Sequence, residues 1–568
     1  MSGASPEILP GKPAVGRLSF LRRHIAFLVL AAIAIPATVG FCWHSVVATI
    51  GDDSVSYLTL ARYLTPWRDD PLTAPWAGYF SNLPPLFPLL LVFTGGAYDL
   101  FTGHMVVAAG AVASLILVYA YALYRLADDR AALAVTVLFL MLPGAWLGLV
   151  GILTESTYLA ICLAALLYEA KRVRPESPPR TYAVLGLWMA AALLTRTAGV
   201  ALILGYCAQV ALRAAHARRL PAARAWLPLA VVLLAQGAWL ALRPTLAVPA
   251  YQHGLWSLAE RWSHAFTATW AASWEYLARG WVGVFLADAA GGMLPAVVFA
   301  AVALVAFAGA ARAALRGRLD GWYVLASLAM LFLWVFNEDN SRRLLYPLLP
   351  LVLLHAAEMT KDLASHIRAP LGRWLAPLAF ALLAAIVLPA TALILRKSLE
   401  REPYFPDLAF SPASMTRYYG IVNEARAREE ALRDASALGG LSYLGQWTAP
   451  GVRVMWVRPE YIAVLVRREG IPLYLRWDRP TLAREIRRTR TDFVVASSHF
   501  KNDMATDTAD AFAWIVEDIP NYLVPLAALP DVEHGEYILL RVDAEKLGRY
   551  LREIGRAAES GDAHAPKL

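Results

Sequence analysis

His24-Ile25-Ala26-Phe27-Leu28-Val29-Leu30-Ala31-Ala32-Ile33-Ala34-Ile35-Pro36-Ala37-Thr38-Val39-Gly40-Phe41-Cys42-Trp43 is an apolar run, and it is followed by the polar Gly51-Asp52-Asp53. Its length suits a hydrocarbon core about 30 Å thick. Lys12, Arg17, Arg22 and Arg23 precede it, and no small-residue cleavage site stands between it and Gly51. These features favour a retained signal anchor over a cleaved signal, with residues 1–23 cytoplasmic.

The same texture continues outward from this run. Of 568 residues 58% are hydrophobic and 17% charged, and the mean hydropathy is +0.48, which excludes an ordinary soluble protein. The charge is uneven. Of 96 Asp, Glu, Lys and Arg residues, 49 lie from Arg396 onward and 47 in the 395 residues before it. A membrane domain at 24–395 is therefore expected ahead of a water-soluble domain at 396–556, with a disordered tail at 557–568. Further candidate spans lie near 104–124, 131–150, 154–170, 181–196, 198–213, 225–243, 281–311, 321–336, 343–359 and 374–395, making about 11 transmembrane helices with the first. The apolar stretch 84–100 is read as a re-entrant or surface-lying helix in the first external loop, 44–103, with Gly95-Gly96 as a break. The loop 244–280, rich in tryptophan, is read as an interfacial element.

The basic residues set the orientation. Loops assigned inside carry twenty, among them Arg125, Arg130, Lys171, Arg172, Arg213, Arg218, Arg219 and Arg224, whereas those assigned outside carry eight. This positive-inside bias places the C-terminal domain outside the cytoplasm. The net charge of +8 comes from such loop residues and not from a compact basic tract with interleaved aromatics, so no nucleic-acid partner is expected. Cys42, Cys162 and Cys207 all fall in apolar stretches, and no disulfide framework is implied.

Beyond about residue 400 the pattern changes to soluble α/β. Helices are expected at 413–437, 479–489, 508–518 and 543–557, and strands at 452–457, 461–466, 492–496 and 537–542. The fold class is thus mainly α: a polytopic helical membrane domain followed by a soluble α/β extracytoplasmic domain.

With this topology several polar residues gather at the outer face. Asp52 and Asp53 follow span one, Glu155 opens span four, Arg196 closes span five, and Arg342-Arg343 lie between spans nine and ten. Charge near mid-bilayer costs about 2.5–3.5 kcal/mol on insertion scales, so such groups turn toward a cavity or each other. Structural readings stand beside a functional one. Either aspartate serves as a helix cap before Ser54, Glu155 and Arg196 as an ion pair, and the two arginines as headgroup contacts. In the soluble domain His499, His534, Asp503, Asp507 and Asp510 show no metal-ligand spacing, and no nucleotide loop or hydrolase motif occurs in a supporting context.

Four stretches, in order, resemble the GT-C fold membrane glycosyltransferases, and within them the relatives of the protein O-mannosyltransferases and of the aminoarabinose transferase that modifies lipid A. They are Gly51-Asp52-Asp53-Ser54-Val55-Ser56-Tyr57-Leu58-Thr59-Leu60-Ala61-Arg62, then Ser81-Asn82-Leu83-Pro84-Pro85-Leu86-Phe87-Pro88, then Leu193-Leu194-Thr195-Arg196-Thr197-Ala198-Gly199, and finally Arg342-Arg343-Leu344-Leu345-Tyr346-Pro347-Leu348-Leu349-Pro350. The chain departs from that pattern at Ser54, often an acid in relatives, and at Leu83, often a base.

The resemblance implies a polyprenyl-phosphate-linked sugar donor, a lipid, glycan or protein acceptor at the outer face of a bacterial inner membrane, and inversion at the anomeric carbon. By position Asp53 matches the catalytic acid of the first loop, with Asp52 second. Arg342, Arg343, Arg196, Glu155, Tyr346 and Tyr57 are the candidates for contact with donor phosphate and substrate. No cofactor is required by this chemistry; a divalent cation is left open. A transporter or flippase for a lipid-linked sugar, and a non-catalytic glycan-binding relative, are the alternatives. The lack of discontinuous repeats in two halves and the placing of the cluster at one face favour the enzyme.

Overall fold

The computed structural model describes residues 17–44, 53–78, 80–243, 259–260, 262–286, 293–334, 338–366, 371–400, 441, 444–473, 477–497, 515, 518–528 and 537–560. Asp52, the expected helix 413–437, most of 508–518 and His499, Asp503, Asp507, Asp510 and His534 lie outside them.

The opening apolar run is helix α1 (Arg17–His44), with Pro36 inside it. Phe27 stacks on Tyr119 at 3.9 Å, and His24 Nδ1 lies 2.8 Å from the Tyr119 hydroxyl, which fastens α1 to α5 (Leu100–Leu126). Between them the first loop folds into α2 (Ser54–Tyr63), α3 (Ala74–Ala77) and α4 (Leu86–Thr94). Helix α4 has nine residues, about 13.5 Å, too short to cross a bilayer. It stops where Gly95 takes φ +86, a conformation open to glycine. Gly96 then lets the chain press on α5, since a Cβ there would stand 2.9 Å from the Gly103 Cα.

The rest of the membrane domain is α6 (Asp129–Leu140), α7 (Pro143–Leu147), α8 (Glu155–Arg172), α9 (Pro179–Thr195), α10 (Val200–Ala217), α11 (Leu227–Leu242), α12 (Phe266–Leu286), α13 (Met293–Leu315), α14 (Leu319–Trp334), α15 (Glu338–Leu345), α16 (Leu349–His366) and α17 (Leu371–Glu400). Among the described residues six helices are long and apolar enough to cross a membrane: His24–Cys42, Leu100–Leu126, Thr197–Ala217, Ala223–Leu242, Pro295–Leu315 and Trp374–Arg396. The chain is a multi-pass membrane protein. The figure of about 11 spans depends on also counting α6, α8, α9, α14 and α16, which have 12, 18, 17, 16 and 18 residues.

Two expected spans are corrected. The stretch 131–150 is not one helix, because α6 ends at Leu140 and Pro143, which cannot donate within a helix interior, starts α7. The stretch 281–311 falls on two helices, α12 ending at Leu286 and α13 starting at Met293, with 287–292 outside the described residues. Trp281 therefore belongs to the same helix as Trp270 and Trp274.

Buried acids also join the helices. Glu169, near the end of α8, accepts from Gln209 at 2.9 Å and Arg213 at 3.1 Å on α10, and both donors also reach the Gly317 carbonyl. Arg318 pairs with Asp320 at 2.5 Å and with Glu358 of α16 at 2.8 Å.

The soluble domain holds a five-stranded sheet in the order β2-β1-β3-β5-β4, from β1 (Arg453–Trp456), β2 (Glu469–Pro472), β3 (Phe493–Ser497), β4 (Leu523–Ala528) and β5 (Tyr537–Val542). Strand β1 runs parallel to β2 and β3, while β5 is antiparallel to β3 and β4. Helix α18 (Pro459–Tyr461) and a π turn at Ile462–Val466 replace the strand expected at 461–466. That segment is apolar on every side and buried, so period alone cannot tell helix from strand, and Pro459 favours a helical start. Helix α19 (Arg479–Thr489) is capped by the Asp478 side chain, α20 (Ile519–Tyr522) precedes β4, and α21 (Ala544–Ser560) runs into the stretch expected as tail.

Candidate active site

Glu155 is the first residue of α8, where the positive end of the helix dipole favours a carboxylate. It is completely buried, with a side-chain exposure of 0%. Its Oε1 accepts from Arg196 Nη1 at 2.8 Å and from Arg343 Nε at 2.9 Å. Its Oε2 has no hydrogen-bond partner among the described residues. Two guanidinium groups on one carboxylate offset the cost of taking these charges out of water.

Arg343 serves a second acid. Its Nη2 donates to Asp53 Oδ2 at 2.9 Å, so one arginine bridges the head of α2 and the head of α8. Asp53 occupies the N-cap position of α2, yet its side chain makes no capping hydrogen bond. The carboxylate is turned to Arg343 instead, and 48% of it is exposed. The cap reading of this residue does not hold.

The backbone explains the convergence. Arg196 follows the last residue of α9 in an extended conformation, φ −154, which ends the helix and swings its side chain toward α8. Thr154 Oγ1 receives Arg196 Nη1 at 3.4 Å and lies 3.5 Å from the Tyr57 hydroxyl. Tyr57 is buried against Phe87, with ring centroids 5.4 Å apart. Ser54 Oγ accepts from the Ile152 amide at 3.1 Å, tying α2 to the turn before α8. Thus Ser54 has a structural task here.

The first turn of α8 is itself held by α5. Ser114 Oγ donates to the Ser156 carbonyl at 2.8 Å, and Ser156 Oγ donates to the Val107 carbonyl at 3.0 Å. A Cβ on Gly110 would stand 2.7 Å from Thr157 Oγ1 and 2.8 Å from Thr157 N, so only glycine allows this approach.

Among the expected residues, Asp53, Glu155, Arg196, Arg343 and Tyr57 come together. Arg342 turns to α12, where its Cδ lies 2.6 Å from the place a Cβ on Gly283 would take. Tyr346 is buried and packs on Phe139, with ring centroids 6.2 Å apart. Sequence reasoning missed Thr154, Ser114, Ser156 and Gly110, and marked Ser54 only as a departure from the family pattern. The available signal was hydroxyls and a glycine inside apolar helices, where small and polar residues mark close helix contact. Among the described residues no group of three or more His, Cys, Asp or Glu could hold a metal ion.

No family model matches the chain, and no curated protein matches it. Solved structures do. ArnT from Cupriavidus metallidurans bound to undecaprenyl phosphate aligns at a TM-score of 0.52 with 15% identity, over 92% of this chain and 98% of that one. The same protein in the apo state aligns at 0.50 with 13% identity, over 92% and 99%. The archaeal oligosaccharyltransferase AglB from Archaeoglobus fulgidus, in complex with an inhibitory peptide and a dolichol-phosphate, aligns at 0.43 with 14% identity, over 93% and 77%. The ArnT alignments extend over nearly the full length of both chains, membrane helices and soluble domain together. The chain has the GT-C fold.

Proposed function

We propose that the chain is a membrane glycosyltransferase that moves a sugar from a polyprenyl-phosphate carrier to an acceptor hydroxyl at the outer face of a bacterial inner membrane, with inversion. The observation that carries this reading is the bridge through Arg343, which joins a half-exposed carboxylate to a buried one. A solvent-facing acid beside a cluster of guanidinium groups supplies both things the transfer needs. The ArnT crystal bound to undecaprenyl phosphate adds that this fold accommodates such a carrier in that protein.

In the proposed step the acceptor oxygen bonds to the sugar C1 as the C1–O bond to phosphate breaks. The polyprenyl phosphate leaves with the bonding electron pair, and the acceptor proton passes to the Asp53 carboxylate. A positioned base of this kind contributes about 10²–10⁴-fold. Arginines are suited to take up the charge that grows on the leaving phosphate, and Arg343, Arg196 and Arg342 are the candidates. Glu155 holds the first two in place. Asp52 remains the second candidate for the base, and a divalent cation is not required by the step.

An in vitro transfer assay with a simple polyprenyl-phosphate sugar tests the reading. Asp53→Asn should still bind donor lipid, while transfer falls about 10²-fold or more. Full activity in Asp53→Asn with loss in Asp52→Asn would move the base by one residue, and full activity in both would overturn the mechanism. A flippase would instead carry labelled donor across vesicles with no transfer, and a non-catalytic relative would do neither.

A further inference from the structure

Asp70 lies in the first loop, and its side chain is only 1% exposed. Its partner comes from the soluble domain, because Arg467 Nη1 donates to Asp70 Oδ2 at 2.8 Å. Arg467 closes the π turn Ile462–Val466 with φ +60, a left-handed conformation that few residues with side chains adopt. Arg62, in the last turn of α2, is buried beside this pair. Its Nε donates to the Ala97 carbonyl at 2.9 Å, and its Nη1 donates to the Val464 carbonyl of the soluble domain at 3.1 Å. Burial, and next the like charge of Arg467, bring the Arg62 pKa down to about 10. Tyr98 closes the joint from the other side, with the Arg68 guanidinium 3.9 Å and that of Arg62 5.2 Å from its ring centre.

Helix α2 is thus held at both ends. Asp53 at its head meets Arg343 of the membrane domain, and Arg62, about 13.5 Å along at 1.5 Å per residue, meets the soluble domain. The head of α2 is held by the Asp53–Arg343 pair, the Ser54–Ile152 hydrogen bond and the packing of Tyr57, and Arg62 adds an anchor in the last turn, so a loosened last turn lets the helix axis, and with it Asp53, shift. Since a displacement of about 1 Å can cost about 10²-fold in rate, the second anchor bears directly on catalysis.

We infer that Asp70, Arg467 and Arg62 are positioning residues: the soluble domain sets the pose of α2 and, through it, of the Asp53 carboxylate. None of the three touches reacting atoms. The inference rests on Asp53 being the base, and it makes the soluble domain part of the catalytic apparatus instead of a separate binding module.

The test uses the full-length protein with Arg467→Ala, Arg467→Lys and Asp70→Asn, reading kcat, donor KM, melting temperature and hydrogen exchange of the α2 amides. Arg467→Ala, at a side chain 42% exposed, is the variant that folds most readily. It should lower kcat about tenfold with donor KM within about twofold, and raise α2 exchange about tenfold. Arg467→Lys should recover most of both. Wild-type kcat in Arg467→Ala would overturn the inference, whether or not α2 exchange rises, and so would a lower melting temperature with kcat and exchange unchanged. If the wild-type chain itself transfers no sugar, the functional reading fails on its own account; the exchange arm then decides the coupling, and unchanged exchange in Arg467→Ala overturns that as well.

Discussion

Asp53 and Glu155 share one arginine in different surroundings, and replacing each carboxylate by its amide separates what they do. Glu155→Gln leaves two guanidinium groups facing an uncharged, fully buried side chain, so a loss of about 3–5 kcal/mol is expected and melting of the detergent-solubilised protein should show it. Asp53→Asn removes one partner of a half-exposed pair, which is worth about 0–1 kcal/mol, so its melting should stay near wild type while transfer collapses. Equal melting of both variants would mean that Glu155 does not hold the cluster together. The residue types and their common face were readable from the chain. The choice between Arg342 and Arg343 was not. Adjacent residues on a helix point about 100° apart, and only the rotation of α15 against its neighbours decides which one meets the acids.

Helix α12 carries the next test. Gly283 leaves room for the Arg342 side chain, and a methyl group there would displace a flexible side chain and not backbone. Gly283→Ala should therefore cost little stability. If Arg342 meets the donor phosphate, donor binding measured with polyprenyl phosphate should weaken about tenfold; unchanged binding would free Arg342 of that role. Long apolar helices such as α5 and α10 were legible because periodicity and length agree. The break at Pro143, the division of 281–311 between α12 and α13 and the π turn at 462–466 were harder, since a short apolar run fits a helix, a strand or two helices equally well. Strands β2 and β4 escaped notice for a related reason. Glu469-Gly470-Ile471-Pro472 and Leu523–Ala528, with Pro525, contain residues that normally argue against a strand.

For the molecule as a whole, orientation is the expectation to check. Cysteines introduced in the loops 171–180 and 213–224 should label only from the cytoplasmic side, and cysteines in the soluble domain only from outside. Labelling of 213–224 from outside alone would invert the topology and remove the outer-face site. Two-regime composition made the division into membrane and soluble parts legible, but not how the parts meet, because Asp70 and Arg467 are almost 400 positions apart and no local pattern links them. The seat of α8 on α5 has a consequence for descent. Since Gly110 sets the distance between these helices, it also sets how far the acid at 155 reaches. Positions 110 and 155 therefore cannot drift independently. In a lineage where 110 acquires a side chain, α8 is pushed outward, and the acid can keep its arginines only by changing length, so the two positions would be inherited as a pair.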